Sequence, residues 1–191
     1  MSSQRQVFAA LIGTVAYGTV IAAAWPLITE TPVLAVLIHP VGHLWALTVG
    51  AVTIDWVRGR YRLNSREEKL YRAARVGAFN RMLDVIGWNA LIARWRRFDG
   101  TRSTLGALIR GTCYSENAHV VVALAGALIA GVALISGQIA VAAAIVGFGL
   151  IAHPYPIALQ RQVRGRALLV ASRLDPEATS VSSVERADPL R

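Results

Sequence analysis

Residues 117–159 read NAHVVVALAGALIAGVALISGQIAVAAAIVGFGLIAHPYPIAL, a run without one Asp, Glu, Lys or Arg. A helix needs about 20 mainly apolar residues to cross a bilayer, so this run holds two passes. Ser136-Gly137-Gln138 is the one turn-forming break inside it. The pattern predicts helices over about 118–135 and 139–159, joined so closely that they run antiparallel. A second stretch behaves the same way. Between Gln6 and Ile54 the only Asp, Glu, Lys or Arg is Glu30, and Pro26, Thr29, Glu30, Thr31 and Pro32 interrupt the run there. Helices over about 7–28 and 32–54 follow.

Four uncharged helices leave no wet face for a soluble bundle to show. Composition agrees: 54% of the 191 residues are hydrophobic and only 16% charged, against roughly 25% charged in a typical soluble domain. The expected fold class is all-α: an integral membrane protein with four transmembrane helices as two hairpins and an interfacial helical segment between them. Residues 1–173 form a single membrane domain. The first apolar run is longer than the core of a cleaved signal peptide, and a second span follows at once, so it is read as retained.

Charge sets the expected orientation. The connection 55–117 carries 13 of the 20 Lys+Arg and 6 of the 11 acids, and Arg5, Arg161, Arg164, Arg166 and Arg173 flank the spans. The hairpin tips have no Lys or Arg. The positive-inside rule then puts both termini and the connection in the cytoplasm, in a plasma-membrane protein. The single Cys113 excludes an internal disulfide.

The connection is too long to be structureless. Ser65 as N-cap with Glu68 three residues on reads as a capping box. Leu70, Ala73, Val76, Phe79 and Leu83 recur at helical spacing among Arg72, Arg75 and Arg81, and Trp88, Leu91, Ile92 and Trp95 continue the apolar side. This is the composition of an amphipathic segment lying at the headgroup layer. The bilayer and anionic headgroups, or a phosphorylated or coenzyme-linked substrate, are its expected partners. No nucleic-acid motif is present. The tail 174–191 lacks periodicity and reads as disordered.

Polar groups inside an apolar run are candidate sites. Glu116 and His119 stand three apart, on one helix face, at the cytoplasmic entrance of the third span. A carboxylate beside an imidazole suits a general base; the structural alternative for Glu116 is a favourable place at a helix start. In His153-Pro154-Tyr155-Pro156 two missing donors force a bend or unwinding, which marks His153 and Tyr155 as a pocket wall. Gln160, Arg161, Arg164 and Arg166 follow at the membrane edge, where guanidinium groups bind phosphate or simply anchor the helix. His39 and His43 share a face in the second span. With His119 and His153 they make four imidazoles, but core histidines bonded to backbone freed by Pro40 are the favoured reading, and no metal is expected. Each hairpin has a His-Pro in its second helix. Cys113 reads as a small residue rather than a nucleophile.

The pairing of Ser115-Glu116-Asn117-Ala118-His119 with the later Gln160-Arg161-Gln162-Val163-Arg164-Gly165-Arg166 resembles the glycosyl-4,4'-diaponeurosporenoate acyltransferase family of carotenoid biosynthesis. That family has a Glu-x-x-His at the start of one membrane helix and a Gln-Arg-Tyr-Asn-Arg-x-Arg run ending the next. Gln160, Arg161, Arg164 and Arg166 fit the run, whereas Gln162 and Val163 stand in place of Tyr-Asn. The resemblance covers about residues 70–170. It implies transfer of an acyl group, with acyl-coenzyme A as donor and no bound cofactor, to a lipid-linked sugar hydroxyl such as that of a carotenoid glycoside. In that reading Glu116 and His119 are catalytic, and His153, Tyr155, Gln160, Arg161, Arg164 and Arg166 bind substrate. The alternatives are a non-catalytic membrane accessory or assembly protein, and a small membrane methyltransferase, for which no cofactor motif is found.

Overall fold

Proline and glycine punctuation decides where the helices stop. The computed structural model describes residues 3–53, 64–95 and 97–174, and among these the regular elements are all helical. Helix α1 (Ser3–Glu30) is unbroken, with Pro26 in its last turns. The expected second helix is two pieces: a 3-10 segment opened by Pro32 (Pro32–Leu37), then α2 (Ile38–Thr53). Pro40 falls in the first turn of α2, where a missing N–H does least harm.

Helix α6 (Leu105–Ile135) starts at Leu105, well before the expected residue 118. Residues 105–117 hold no proline to stop a helix; the apolar run marks where charge ends, not where helix begins. Its C-terminus is the expected tip. Gly137 has φ +76°, Gln138 N–H donates to Ala133 O and Gly137 N–H to Leu134 O. This is the Schellman pattern, which glycine enters without a Cβ penalty. Helix α7 (Ile139–Ala152) stops short of the expected residue 159, at the break expected from His153-Pro154-Tyr155-Pro156: Pro154 and Pro156 cannot donate to Leu150 and Ala152. His153 is a turn residue, and α8 (Pro154–Leu174) restarts with proline in its first position.

Three helical stretches are long and apolar enough to cross a membrane: Gln4–Glu30, Arg102–Ile135 and Ile139–Arg173. The fourth expected span corresponds to a shorter apolar stretch, Pro32–Ala46. Phe8, Leu11, Val15, Leu124, Leu128, Leu150 and Ile151 are exposed, while His39, Glu116, Asn117 and His153 are buried. Apolar groups outside and polar groups inside suit a lipid surround, where ionisable groups avoid the hydrocarbon.

The chain divides into two units, residues 1–61 with 113–160 and residues 62–112 with 161–191. In the first, α1 packs along α2, and α7 against the 3-10 segment and α2. The core joins Ile28, Ala35, Ile38, Ala130, Ala133, Val141, Ala142 and Ile145. Tyr17 stacks on Trp45 at 4.8 Å between centroids, and Trp45 Nε1–H donates to Thr14 Oγ1, fixing α1 to α2.

In the second unit the expected interfacial helical segment includes three short helices: α3 (Ser65–Ala73), α4 (Val76–Val85) and α5 (Trp88–Trp95). The chain turns between them through left-handed Arg75 (φ 54°) and Gly87 (φ +74°). The cap also moves by one residue. Asn64, not Ser65, is the N-cap: its Oδ1 accepts from Glu67 N at 2.8 Å, and Glu67 Oε2 accepts from Asn64 N at 3.1 Å. Of the expected apolar side, Leu70, Val85, Ile86, Trp88 and Leu91 are exposed, as is Met82, whereas Val76 is buried. Asn89 Nδ2 ties α5 to α4 through Asp84 Oδ1 and Asn80 Oδ1. Asp99 accepts from the Thr101 and Thr104 hydroxyls and the Thr101 amide at the entry to α6, which holds its carboxyl down at about 2. Residues 54–63, including the end of the expected second span, and the tail expected to be disordered, from 175 on, lie outside the described residues.

Candidate functional site

Both His-Pro dipeptides stand at helix interruptions, and the first unit brings them together. His39 Nδ1 lies 2.8 Å from His153 Nε2, although 114 positions separate the residues. His39 Nε2 lies 2.9 Å from Ile145 O, and His43 Nδ1 lies 3.0 Å from His39 O. His43 Nε2 and His153 Nδ1 both face His119 Nδ1, at 3.0 and 3.3 Å. His39 and His153 are 2% and 1% exposed, and His43 and His119 are half-buried. Glycines make the space: a Cβ on Gly149 would lie 3.0 Å from His39 Cε1, and one on Gly126 3.2 Å from the same atom.

The two carbonyls fix the hydrogens. A carbonyl only accepts, so His39 donates from Nε2 to Ile145 O and His43 donates from Nδ1 to His39 O. For neutral rings, His39 Nδ1 is then an acceptor, and His153 Nε2–H donates to it. That leaves lone pairs on His43 Nε2 and His153 Nδ1, both aimed at His119 Nδ1. One N–H on His119 Nδ1 serves both, and the lone pair of His119 is then on Nε2. His39 and His43 do bond backbone carbonyls, but those of Ile145 and His39, not the carbonyl four residues before Pro40 that the sequence reading had in view. That they join His119 and His153 had no signal beyond the repeated His-Pro.

Glu116 is completely buried in α6, one turn before His119. Tyr155 is half-buried in the first turn of α8, and Gln160 is buried further along it. In the second unit Arg161 and Arg164 are buried and Arg166 is exposed. Arg161 Nη2 donates to both carboxylate oxygens of Glu67, at 2.7 and 3.0 Å. Burial raises the Glu67 carboxyl, but the Asn64 amide and the Arg161 guanidinium outweigh it, so the net shift is downward. A feature missed in the sequence is a cavity of about 380 Å³ lined by Arg72, Arg75, Gly77, Ala78 and Arg81. Its signal was the arginine spacing, read as the basic side of a segment meeting anionic headgroups or a phosphorylated substrate.

Long apolar helices enclosing buried imidazoles and a buried carboxyl point to the class of helical membrane proteins. Within it, the chain belongs to the glycosyl-4,4'-diaponeurosporenoate acyltransferase family, whose model matches residues 53–173. Membership makes it an acyltransferase with a role in carotenoid biosynthesis. The match includes Glu116, His119, His153 and the arginine run; His39 and His43 precede it. No curated protein and no solved structure matches the chain.

Proposed function

We propose that the protein moves a fatty acyl group from acyl-coenzyme A onto a hydroxyl of a lipid-linked sugar, such as a carotenoid glycoside, at the plasma membrane. The chain crosses four times as two hairpins, with both termini in the cytoplasm. The observation that carries the reading is the geometry at His119: its Nδ1 lies 3.0 and 3.3 Å from His43 Nε2 and His153 Nδ1, which for neutral rings puts the His119 proton on Nδ1 and its basic lone pair on Nε2. Nε2 takes the proton of the acceptor hydroxyl as its oxygen attacks the thioester carbonyl. The C–S bond breaks, and the thiolate of coenzyme A takes that proton back. Glu116 offsets the positive charge that forms on the imidazolium. His153 and Tyr155, at the break between α7 and α8, border the acceptor, and Gln160 holds a polar group of it.

Arg161, Arg164 and Arg166 bind phosphates of the donor or of anionic headgroups. At Arg161 a phosphate replaces Glu67 as partner. The helix that starts beside His153 carries all three arginines further along.

The test offers membranes containing the wild-type protein labelled acyl-coenzyme A or a labelled methyl donor. The reading expects label from the acyl donor in glycolipid and none from the methyl donor; the reverse would refute it. Labelling of single cysteines at positions 116 and 161 from opposite sides of the membrane would defeat the proposed topology, in which both lie toward the cytoplasm.

A further inference from the structure

Three ring nitrogens from three places in the chain converge in the first unit: His43 from α2, His119 from α6 and His153 from the α7–α8 break. All three candidate ligand atoms lie within 4.8 Å of one another. Two of the separations are 3.0 and 3.3 Å. Three nitrogens bound tetrahedrally to zinc at about 2.0–2.1 Å stand roughly 3.3 Å apart, so two edges of such a site are already formed. The hydrogens point the same way. His43 Nε2 and His153 Nδ1 present lone pairs, and when the His119 proton sits on Nε2 a third lone pair joins them. Three lone pairs aimed at one point repel unless an electrophile lies between them.

A second observation is independent of that convergence. Metal-ligating histidines almost always donate their other N–H to a fixed acceptor, which sets the tautomer and the ring plane. His43 donates to His39 O and His153 donates to His39 Nδ1, while His39 is itself anchored on Ile145 O. His39 is therefore the outer partner of two ligands, held in the space left by Gly126 and Gly149.

We infer that His43 Nε2, His119 Nδ1 and His153 Nδ1 form a binding site for a divalent cation of the zinc class, with a water or an acceptor hydroxyl as fourth ligand. The cation and the Nδ1 proton of His119 exclude each other. A loaded site keeps the remaining His119 proton on Nε2 and removes its basic lone pair. Resting on the acyl-transfer reading for its effect on rate, the site is inhibitory: zinc slows transfer and a chelator restores it.

The test uses the full chain in detergent, purified through a tag without histidine and stripped with a chelator. Cobalt(II) is titrated in, zinc stoichiometry is measured, and X-ray absorption is recorded on the zinc form. One equivalent per chain, the visible bands of a tetrahedral cobalt site, and three nitrogen scatterers at about 2.0 Å are expected. His43→Ala and His153→Ala should lose tight binding, and His39→Ala should weaken it by about 10–100-fold. The wild-type spectra need no variant to fold. Substoichiometric metal in the wild type, or unchanged binding in His43→Ala and His153→Ala, overturns the site. Should the cobalt site form while zinc raises the transfer rate, the site stands and the His119 base assignment falls. Should it form in a protein that transfers no acyl group, the acyl-transfer reading fails alone.

Discussion

Replacing Gly149 with alanine sets a methyl carbon 3.0 Å from His39 Cε1 and 3.6 Å from His39 Nε2. Carbon atoms rest about 3.5–4.0 Å apart, so the ring must retreat by about half an ångström. It has little room, because a Cβ on Gly126 would also lie only 3.2 Å from that Cε1. Both ring nitrogens are also held, at 2.8 and 2.9 Å. Overpacking costs about 1–3 kcal/mol, and an orphaned buried donor or acceptor adds about 1–3 kcal/mol. Alanine returns at most about 1 kcal/mol of helix propensity. The net expectation is destabilisation by roughly 1–5 kcal/mol, with lowered acyl transfer. Gly147→Ala is the control: it lies on the same helix, and a Cβ there meets nothing within 4 Å, so it is neutral or stabilising by up to about 1 kcal/mol. Equilibrium unfolding of both variants in mixed micelles measures the difference. If Gly149→Ala is as stable and as active as Gly147→Ala, the packing of His39 between two glycines does not support the site as argued.

Glu67→Gln keeps a capping-box side chain but removes the charge facing Arg161. With the Glu67 side chain 27% exposed, the loss should be about 1–3 kcal/mol, below that of a fully buried pair, read by thermal unfolding. Because the Glu67 carboxyl sits below its ordinary value, its contribution is complete above the usual glutamate range of about 4.3. It is lost as pH falls through the folded value, so acidification should destabilise the wild type more than Glu67→Gln, and parallel melting curves would refute the linkage. Gly137→Ala forces a Cβ into a φ of +76° and should cost about 1–2 kcal/mol in the same unfolding assay, with no effect on the transfer rate per folded molecule.

The stops were more legible than the starts. Ser136-Gly137-Gln138 and His153-Pro154-Tyr155-Pro156 break helices where the residues require it, because glycine permits a left-handed turn and proline lacks a donor. The start of α6 at Leu105 was hidden, since residues 105–117 carry charge yet lack any proline. The cap of α3 was read one residue late. Asn64 with Glu67 and Ser65 with Glu68 both satisfy the capping-box spacing, and in the fold Glu67 also meets Arg161, a partner 94 positions away. The left turn at Arg75 has no local signal at all, whereas Gly87 marks the next one. At the site, spacing placed Glu116 with His119 and drew attention to each His-Pro. It could not bring His39 to His153, because that contact depends on how α2 and the α7–α8 break meet and on the room left by Gly126 and Gly149.

The central claim is acyl transfer at His119. Membranes holding matched amounts of wild type, His119→Ala or Glu116→Gln are given labelled acyl-coenzyme A, and alkali-labile label is measured in the glycolipid fraction. The account predicts ester-linked label with the wild type and a fall of at least about 100-fold with His119→Ala, the lower end for a lost general base. Label that persists undiminished in His119→Ala would contradict it.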